Sequence, residues 1–232
     1  MGYICGMDIV RNGLVFSVDP MNPRSWPGPD SDKVNDLKSS LTGSIFNGTS
    51  GSYGSNKSFT FNGDEDYIDF GTSIFTNYLS GTTQFTCGYW CKKVGSNDNM
   101  LIGSYNDTGN VGFFLQWYSD NVIYFGVRNN DNTHSSVTLS YENKFFYLVG
   151  VFNGSLSNDF RLKIYVNGIL TSYNASTAPT SYPTITNKLW IGKVENYAYG
   201  SDGNIGLTHI YNRALTDKEV LQNYNALKPR FN

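Results

Sequence analysis

The chain has 232 residues, of which 16% are charged, 16% are aromatic and 24 are glycine. This balance favours an all-β protein with many tight turns over a helical bundle, and the length fits one large domain, although length alone also allows two smaller ones. The net charge of −2 lacks the basic surplus of a nucleic-acid-binding protein, so no nucleic-acid partner is expected.

The first twelve residues are predicted to form an N-terminal arm, and residues 13–232 a single domain. Asp8 and Arg11 interrupt the beginning of the chain, where a secretion signal would need a cationic start and a sustained apolar core. No apolar run is long enough to span a bilayer. We therefore expect synthesis in a cytoplasm without export by a signal of its own, and no membrane contact.

The first predicted strand covers residues 13–18, and a loop rich in proline and glycine follows over 19–36. A loop this long inside a compact domain is often a contact surface. Alternating residues then occur at 58–61 and 67–70, on either side of Asn62-Gly63. This pattern predicts a hairpin.

Further short strands follow at intervals of about ten residues, with glycine, asparagine and aspartate between them. In the strand over 85–93, Cys87 and Tyr89 share one face and Trp90 lies on the other. The remaining predicted strands cover 100–105, 111–117, 122–128, 136–139, 146–152, 160–166, 189–192 and 205–211. This spacing predicts an antiparallel two-sheet sandwich of the jelly-roll type.

A short helix is predicted after the last strand. Thr216 is a good N-cap, and the carboxylate of Glu219 can reach back to the N–H of the cap. Leu215 and Val220 can form a hydrophobic staple, and Pro229 is expected to end the helix.

The three cysteines predict neither a disulfide framework nor a zinc site. On an extended strand Cys87 and Cys91 lie about 13 Å apart, too far to pair with each other. Cys5 could reach one of them, but an odd number of cysteines favours reduced thiols.

Six segments in this order resemble the laminin-G-like jelly roll of the concanavalin A-like lectin/glucanase superfamily. They are residues 13–28, 59–67, 85–90, 163–168, 189–192 and 210–215, which read GLVFSVDPMNPRSWPG, FTFNGDEDY, FTCGYW, KIYVNG, LWIG and IYNRAL. The first of them, together with the ending LQNYNALKPRF over 221–231, is similar to versions in tailed-phage virion proteins. The resemblance implies the jelly-roll fold, which hosts lectins, enzymes and adhesion modules alike.

The acidic segment 64–66 is a candidate calcium site, because hard cations take several carboxylate and carbonyl oxygens. Asp64, Asp66 and Asp202 are the candidate ligands, and the alternative is that they form turns by bonding the local backbone. Relatives in the family often carry an acidic pair where this chain has Gly206-Leu207, which puts a calcium site in doubt. No other cofactor is expected.

Carbohydrate binding uses aromatic side chains that stack on sugar rings. The candidates lie in or beside predicted loops: Trp26, Tyr105, Trp117, Tyr118, Tyr197 and Tyr199. The alternative for the tryptophans on strands, Trp90, Trp117 and Trp190, is packing in the core or between the sheets.

Catalysis of glycan cleavage would need two carboxylates facing one bond. The four glutamates lie in turns or in the helix cap, and no predicted strand carries an acidic pair. We therefore expect no enzymatic activity. The resemblance of segments 13–28 and 221–231 to tailed-phage virion proteins implies a phage virion protein, a capsid decoration or fibre-type subunit on the particle exterior. We expect it to assemble as an oligomer with other capsid or tail subunits and to be able to bind surface glycans. The alternatives are a carbohydrate-binding lectin or adhesion module of a bacterial protein and a glucanase-like glycoside hydrolase.

Overall fold

The computed structural model describes residues 8–46, 50–52, 58–63, 66–94, 99–106, 111–118, 121–129, 134–140, 143–173, 178–184, 187–193 and 200–231. The strands are β1 (Leu14–Val18), β2 (Lys33–Asn35), β3 (Thr42–Phe46), β4 (Ser50–Ser52), β5 (Ser58–Asn62), β6 (Tyr67–Asp69), β7 (Gln84–Lys93), β8 (Met100–Asn106), β9 (Val111–Trp117), β10 (Val122–Asn129), β11 (Ser135–Thr138), β12 (Phe146–Asn153), β13 (Leu162–Val166), β14 (Ile169–Tyr173), β15 (Trp190–Ile191) and β16 (Asp202–Tyr211). A π-helical turn (Phe75–Leu79), a 3-10 turn (Asn158–Phe160) and one α-helix, α1 (Asp217–Phe231), complete these elements.

The strands form two antiparallel sheets of eight strands each. The first sheet has the order β14-β13-β12-β7-β16-β5-β4, with β1 paired to β16. The second has the order β11-β10-β9-β8-β15-β6-β3-β2. The predicted all-β sandwich with one C-terminal helix is therefore confirmed. No helix in the described part of the chain is long and apolar enough to cross a membrane.

The core lies between the sheets and follows the alternation predicted for β7. Cys87, Tyr89 and Cys91 face the second sheet and are fully buried, whereas Trp90 lies on the outer face. The hydroxyl of Tyr89 donates to the carbonyl oxygens of Met100 and Leu115, at 3.0 and 3.3 Å, and so links the two sheets. Cys87 and Cys91 are free thiols, and burial raises their pKa.

The start of α1 matches its predicted capping box. The Thr216 hydroxyl accepts the N–H of Glu219 at 3.3 Å, and a carboxylate oxygen of Glu219 accepts the N–H of Thr216 at 2.9 Å. The guanidinium of Arg213 donates to both oxygens of the same carboxylate, at 2.9 and 2.6 Å. This ion pair is the first cause of the low pKa of Glu219, about 2.

The prediction that Pro229 ends the helix is wrong, because α1 continues to Phe231. A proline in the last turn removes only one helical hydrogen bond, and tertiary contacts hold that turn in place. Phe231 stacks on Trp90 with ring centroids 4.5 Å apart, and Arg230 makes a bidentate ion pair with Asp19.

The predicted hairpin over 58–70 is also wrong. β5 pairs with β16 and β4 in the first sheet, whereas β6 pairs with β3 and β15 in the second. The turn signal at Asn62-Gly63 marks a real change of direction, but the chain crosses there from one sheet to the other. A turn residue indicates where a strand ends, but it does not determine which other strand pairs with that strand.

The segment 19–36 packs on the sandwich instead of standing away from it. It contains β2, and Trp26 is fully buried with its ring 5.3 Å from that of Phe59. The Asp36 carboxylate accepts the backbone N–H groups of Ser17 and Ser39, both at 2.7 Å. The strands β2, β3, β4 and β14 were not predicted.

The described end of the N-terminal arm lies against α1. The backbone N–H of Val10 donates to the Asn223 side chain at 2.8 Å, and the Val10 carbonyl accepts the Tyr211 hydroxyl at 2.9 Å. Residues 8–12 are thus engaged within their own chain.

We expect the substitution Glu219→Gln to lower the free energy of unfolding at pH 7 by about 1 kcal/mol, since it removes a partly buried, charge-assisted pair with Arg213. The folded-state pKa lies below the ordinary value of 4.5, so the ionised carboxylate stabilises the fold above pH 4.5. That contribution is lost as the pH falls towards 2, and the difference between wild type and variant should shrink over this window. Urea unfolding at several pH values measures it, with the exposed Asp30→Asn as control. An equal difference at pH 7 and pH 2 would contradict the assignment.

Candidate ligand-binding face

The outer faces of the two sheets differ in what covers them. Helix α1 packs on the first sheet, where Val220, Leu227 and Phe231 contact a cluster that includes Trp90 and Tyr147. In the described part of the chain, no helix packs in this way on the second sheet. Its outer face instead carries aromatic side chains on several neighbouring strands.

Three aromatic rings form a stack across β3, β6 and β15. The ring centroids of Phe46 and Tyr67 are 4.7 Å apart with an interplanar angle of 11°, and those of Tyr67 and Trp190 are 4.4 Å apart with an angle of 26°. Phe46 is 40% exposed and Trp190 only 9%, so the stack has one end exposed to solvent and the other end buried. Its orientation follows from strand alternation, because Ile68 and Ile191, the neighbours along the chain, face the core.

Polar groups lie beside the buried end of this stack. The ammonium group of Lys188 lies 3.1 Å from the Asp69 carboxylate and 5.8 Å from the ring centroid of Trp190. The indole nitrogen of Trp190 is buried and has no hydrogen-bond partner among the described residues. Because this nitrogen is buried, a ligand on the outer face of the sheet does not reach it.

A second group of side chains occupies the same face on β8, β9 and β10. The guanidinium of Arg128 lies 4.7 Å from the ring centroid of Phe114 and donates to the Tyr105 hydroxyl at 2.9 Å. Tyr124 contacts the ring of His134 edge-on at 5.0 Å. The two groups are neighbours, because Gly103 of β8 pairs with Trp190 on one side and with Phe114 on the other.

The predicted aromatic candidates lie in three different environments. Trp26 and Trp117 are fully buried in the core, so their ring faces are not available to a sugar. Tyr105 is buried on the outer face of the second sheet, and Tyr118 follows β9 near Tyr124, with ring centroids 6.2 Å apart. Tyr197 and Tyr199 lie outside the described residues.

The stack of Phe46, Tyr67 and Trp190 was missed because strand predictions were not combined into a sheet. Alternation over 189–191 puts the side chain of Trp190 on the opposite face of the sheet from those of its two neighbours. This was the sequence signal that could have placed Trp190 on the outer face. Its proximity to Phe46 depends on pairing between distant strands, and β3 was not predicted.

The calcium candidates do not assemble into a described site. Asp66 is buried, and its carboxylate accepts the backbone N–H of Asn62 at 3.1 Å, which is the turn arrangement. Asp202 lies in β16, paired with Asn62, and Asp64 falls outside the described residues. The described residues contain no group of three or more histidine, cysteine, aspartate or glutamate side chains that could hold a metal.

The pKa values of two described carboxyl groups are shifted in opposite directions from their ordinary values. Glu219, in the pair with Arg213, has a pKa of about 2 and does not hold a proton at neutral pH. Burial raises the pKa of Asp66. Burial also lowers the pKa of His209 to about 3, so this histidine is neutral beside the Tyr147 hydroxyl, 2.6 Å away. Glu65, Glu142 and Glu195 lie outside the described residues.

One protein family and many solved structures are similar to this chain. The family described as the concanavalin A-like lectin/glucanases superfamily matches residues 62–221. A sialidase of Trypanosoma rangeli in complex with sialic acid is similar with a TM-score of 0.68 and 14% identity, over 99% of this chain and 36% of the sialidase. The binding domain of botulinum neurotoxin DC in complex with SialylT is similar with a TM-score of 0.63 and 16% identity, over 93% of this chain and 52% of that one.

These identities show a shared fold alone, and the chain spans less than two thirds of the length of either protein. The same toxin domain in complex with rat synaptotagmin II is similar with a TM-score of 0.62. No curated protein matches the chain significantly.

Proposed function

The chain belongs to the concanavalin A-like lectin/glucanase superfamily, and we propose that it is a carbohydrate-binding module without enzymatic activity. The observation that carries the proposal is the stack of Phe46, Tyr67 and Trp190 on the outer face of the second sheet. Flat aromatic surfaces with a few polar groups beside them are typical of sites for small organic ligands.

In the proposed complex, a sugar ring packs on the solvent-exposed end of the stack, at Phe46, which Tyr67 and Trp190 support from behind. The Asp69 carboxylate accepts hydrogen bonds from sugar hydroxyls, and Lys188 donates to them. The second group of side chains, around Arg128, extends the surface for a longer glycan.

The similar structures support the choice of glycans for a first test. One is a sialidase in complex with sialic acid, and another is a toxin binding domain in complex with SialylT. Both belong to proteins that are much longer than this chain, so their ligands are starting points.

We expect Tyr67→Ala to weaken binding of a neutral glycan found on a glycan array by about three- to tenfold, because it removes the ring on which Phe46 stacks, and a stacked aromatic contact contributes roughly 0.5–1.5 kcal/mol beyond its area. Trp190→Phe keeps an aromatic ring in the stack, and because the indole N–H is buried, its loss should leave binding close to that of wild type. Isothermal titration calorimetry measures both effects.

The matched control is Tyr78→Ala, since Tyr78 is an exposed tyrosine outside this face. It should bind like wild type. An array without a single hit, or equal affinity in all variants, would contradict binding at the stack.

The absence of catalysis is part of the proposal. A glycoside hydrolase needs a carboxylic acid that holds a proton at working pH and a second carboxylate across the bond. Glu219 is ionised by its pair with Arg213 and serves the helix cap. Asp66 has a raised pKa but is committed to the turn at Asn62.

We expect no release of reducing ends when the protein is incubated with a panel of polysaccharides at pH 5 and pH 7. Asp66→Asn is the diagnostic variant, because Asp66 is the described carboxyl group with a raised pKa. Turnover in wild type that disappears in Asp66→Asn would reverse the non-enzymatic assignment.

We also propose that the protein is a subunit on the exterior of a phage particle, as a capsid decoration or fibre-type subunit in an oligomeric assembly. The support is the likeness of residues 13–28 and 221–231 to segments of tailed-phage virion proteins. Because residues 8–12 are bound to α1, contacts with neighbouring subunits would use other surfaces.

Mass spectrometry of purified virions tests this assignment. The protein should copurify with the particle at a constant ratio to the major capsid protein through a density gradient. Its absence from washed particles, with abundant protein in the lysate, would exclude a virion role and leave carbohydrate binding to be judged separately.

A further inference from the structure

A groove of about 560 Å³ lies where the first turn of α1 meets the first sheet. Its walls include Leu156 and Phe160, from the turns after β12, Lys163 of β13, and Asp217 and Lys218 at the start of α1. This volume is in the range of sites for small molecules. The groove shares no residue with the aromatic stack on the second sheet.

One wall of the groove is apolar and open to solvent. Leu156 is 38% exposed and Phe160 is 44% exposed. The ring of Phe160 is held by stacking on Tyr173, with centroids 5.2 Å apart and an interplanar angle of 25°. Large apolar side chains exposed together beside a cavity are typical of binding sites.

Two side-chain amides in the groove use their oxygen atoms to accept backbone N–H groups. The side-chain oxygen of Gln84 accepts the N–H of Ala214 at 3.4 Å, and that of Asn153 accepts the N–H of Ser155 at 3.1 Å. Each amide oxygen is thereby used, and each NH₂ group remains available to a ligand.

The charges of the groove are predominantly positive. Lys163 and Lys218 form no ion pair with any residue that the structure describes. The one carboxylate in the lining, that of Asp217, accepts the Tyr165 hydroxyl at 2.6 Å. The N-terminus of a fifteen-residue helix adds a further partial positive charge.

We propose that this groove binds an acidic sugar. The carboxylate lies between the ammonium groups of Lys163 and Lys218, the ring packs on Phe160, and the NH₂ groups of Gln84 and Asn153 donate to ring hydroxyls or their substituents. The aromatic wall and amide donors suit a ring that carries hydroxyl groups, and the ammonium groups require that it be an anion. The inference extends the proposed carbohydrate binding to a second site that is tested by different variants.

The test is calorimetric titration of the whole protein with sialic acid, with glucuronic acid and with neutral galactose. We expect at least one acidic sugar to bind with a dissociation constant of about 1 mM or lower and galactose to bind at least tenfold more weakly at this site. Lys163→Gln and Lys218→Gln should each weaken acidic-sugar binding by about tenfold, because each removes a hydrogen bond to a charged group. Raising the salt from about 0.05 M to about 0.5 M should weaken it in wild type.

Lys38→Gln, at an exposed lysine outside the groove, should leave acidic-sugar binding unchanged, and Tyr67→Ala is titrated in parallel to detect any acidic sugar that binds at the aromatic stack. Lys218 is exposed on the first turn of α1, so its substitution reports on the groove even if Lys163→Gln proves unstable. Circular dichroism verifies the fold of each variant.

Equal affinity for galactose and the acidic sugars would overturn the assignment, as would wild-type affinity in Lys218→Gln. A glutamate-rich peptide that competes at lower concentration than either sugar would replace the acidic sugar with an acidic peptide. Loss of binding in Tyr67→Ala with no change in Lys218→Gln would move the ligand to the aromatic stack and leave the proposed function intact.

Discussion

The architecture depends on the stacking of Trp90 with the end of the C-terminal helix. Trp90 projects from the centre of the first sheet, and its ring lies parallel to that of Phe231, 4.5 Å away. Tyr147 and Tyr224 extend the same stack at 5.3 and 5.7 Å. Gly206 on the neighbouring strand makes room, since a Cβ atom there would lie 2.6 Å from the Phe231 ring. A helix of fifteen residues is marginal alone, so this docking is what stabilises it.

This docking divides the surface into two kinds of site. On the face of the first sheet that the helix covers, a groove lined by Lys163 and Lys218 lies where the helix begins. The outer face of the second sheet carries the stack of Phe46, Tyr67 and Trp190, of which Phe46 is exposed to solvent. The Arg213–Glu219 pair fixes the first turn of α1 and therefore also fixes the position of the lysine in that turn.

The sequence predicts what local patterns determine. Alternation in β7 placed Cys87 and Tyr89 on one face and Trp90 on the other, as the structure has them, and the spacing of Thr216 and Glu219 located the start of α1. Prediction failed where pairing between distant strands determines the structure. The turn signal between β5 and β6 predicted that they form a hairpin, whereas the two strands belong to different sheets.

The candidate site shows the same limit. Loop aromatics were expected to bind sugars, yet Trp26 is part of the core because β2 and the turns around it pack on the sandwich. The stack of Tyr67 and Trp190 forms only after β6 and β15 pair across more than a hundred residues of sequence. Likewise, Pro229 was expected to end the helix, but the stacking of Phe231 on Trp90 holds the last turn in place.

The bonds between residues 8–12 and α1 have a practical consequence for how the protein can be attached to a support. Asp8 and Val10 are held against Gln222 and Asn223, and the helix lies over the first sheet up to Phe231. Both described ends of the chain therefore emerge on the same side of the sandwich. A point of attachment at Asp8 or at Phe231 therefore lies on the side of the first sheet, whereas the rings of Phe46 and Tyr67 lie on the outer face of the second.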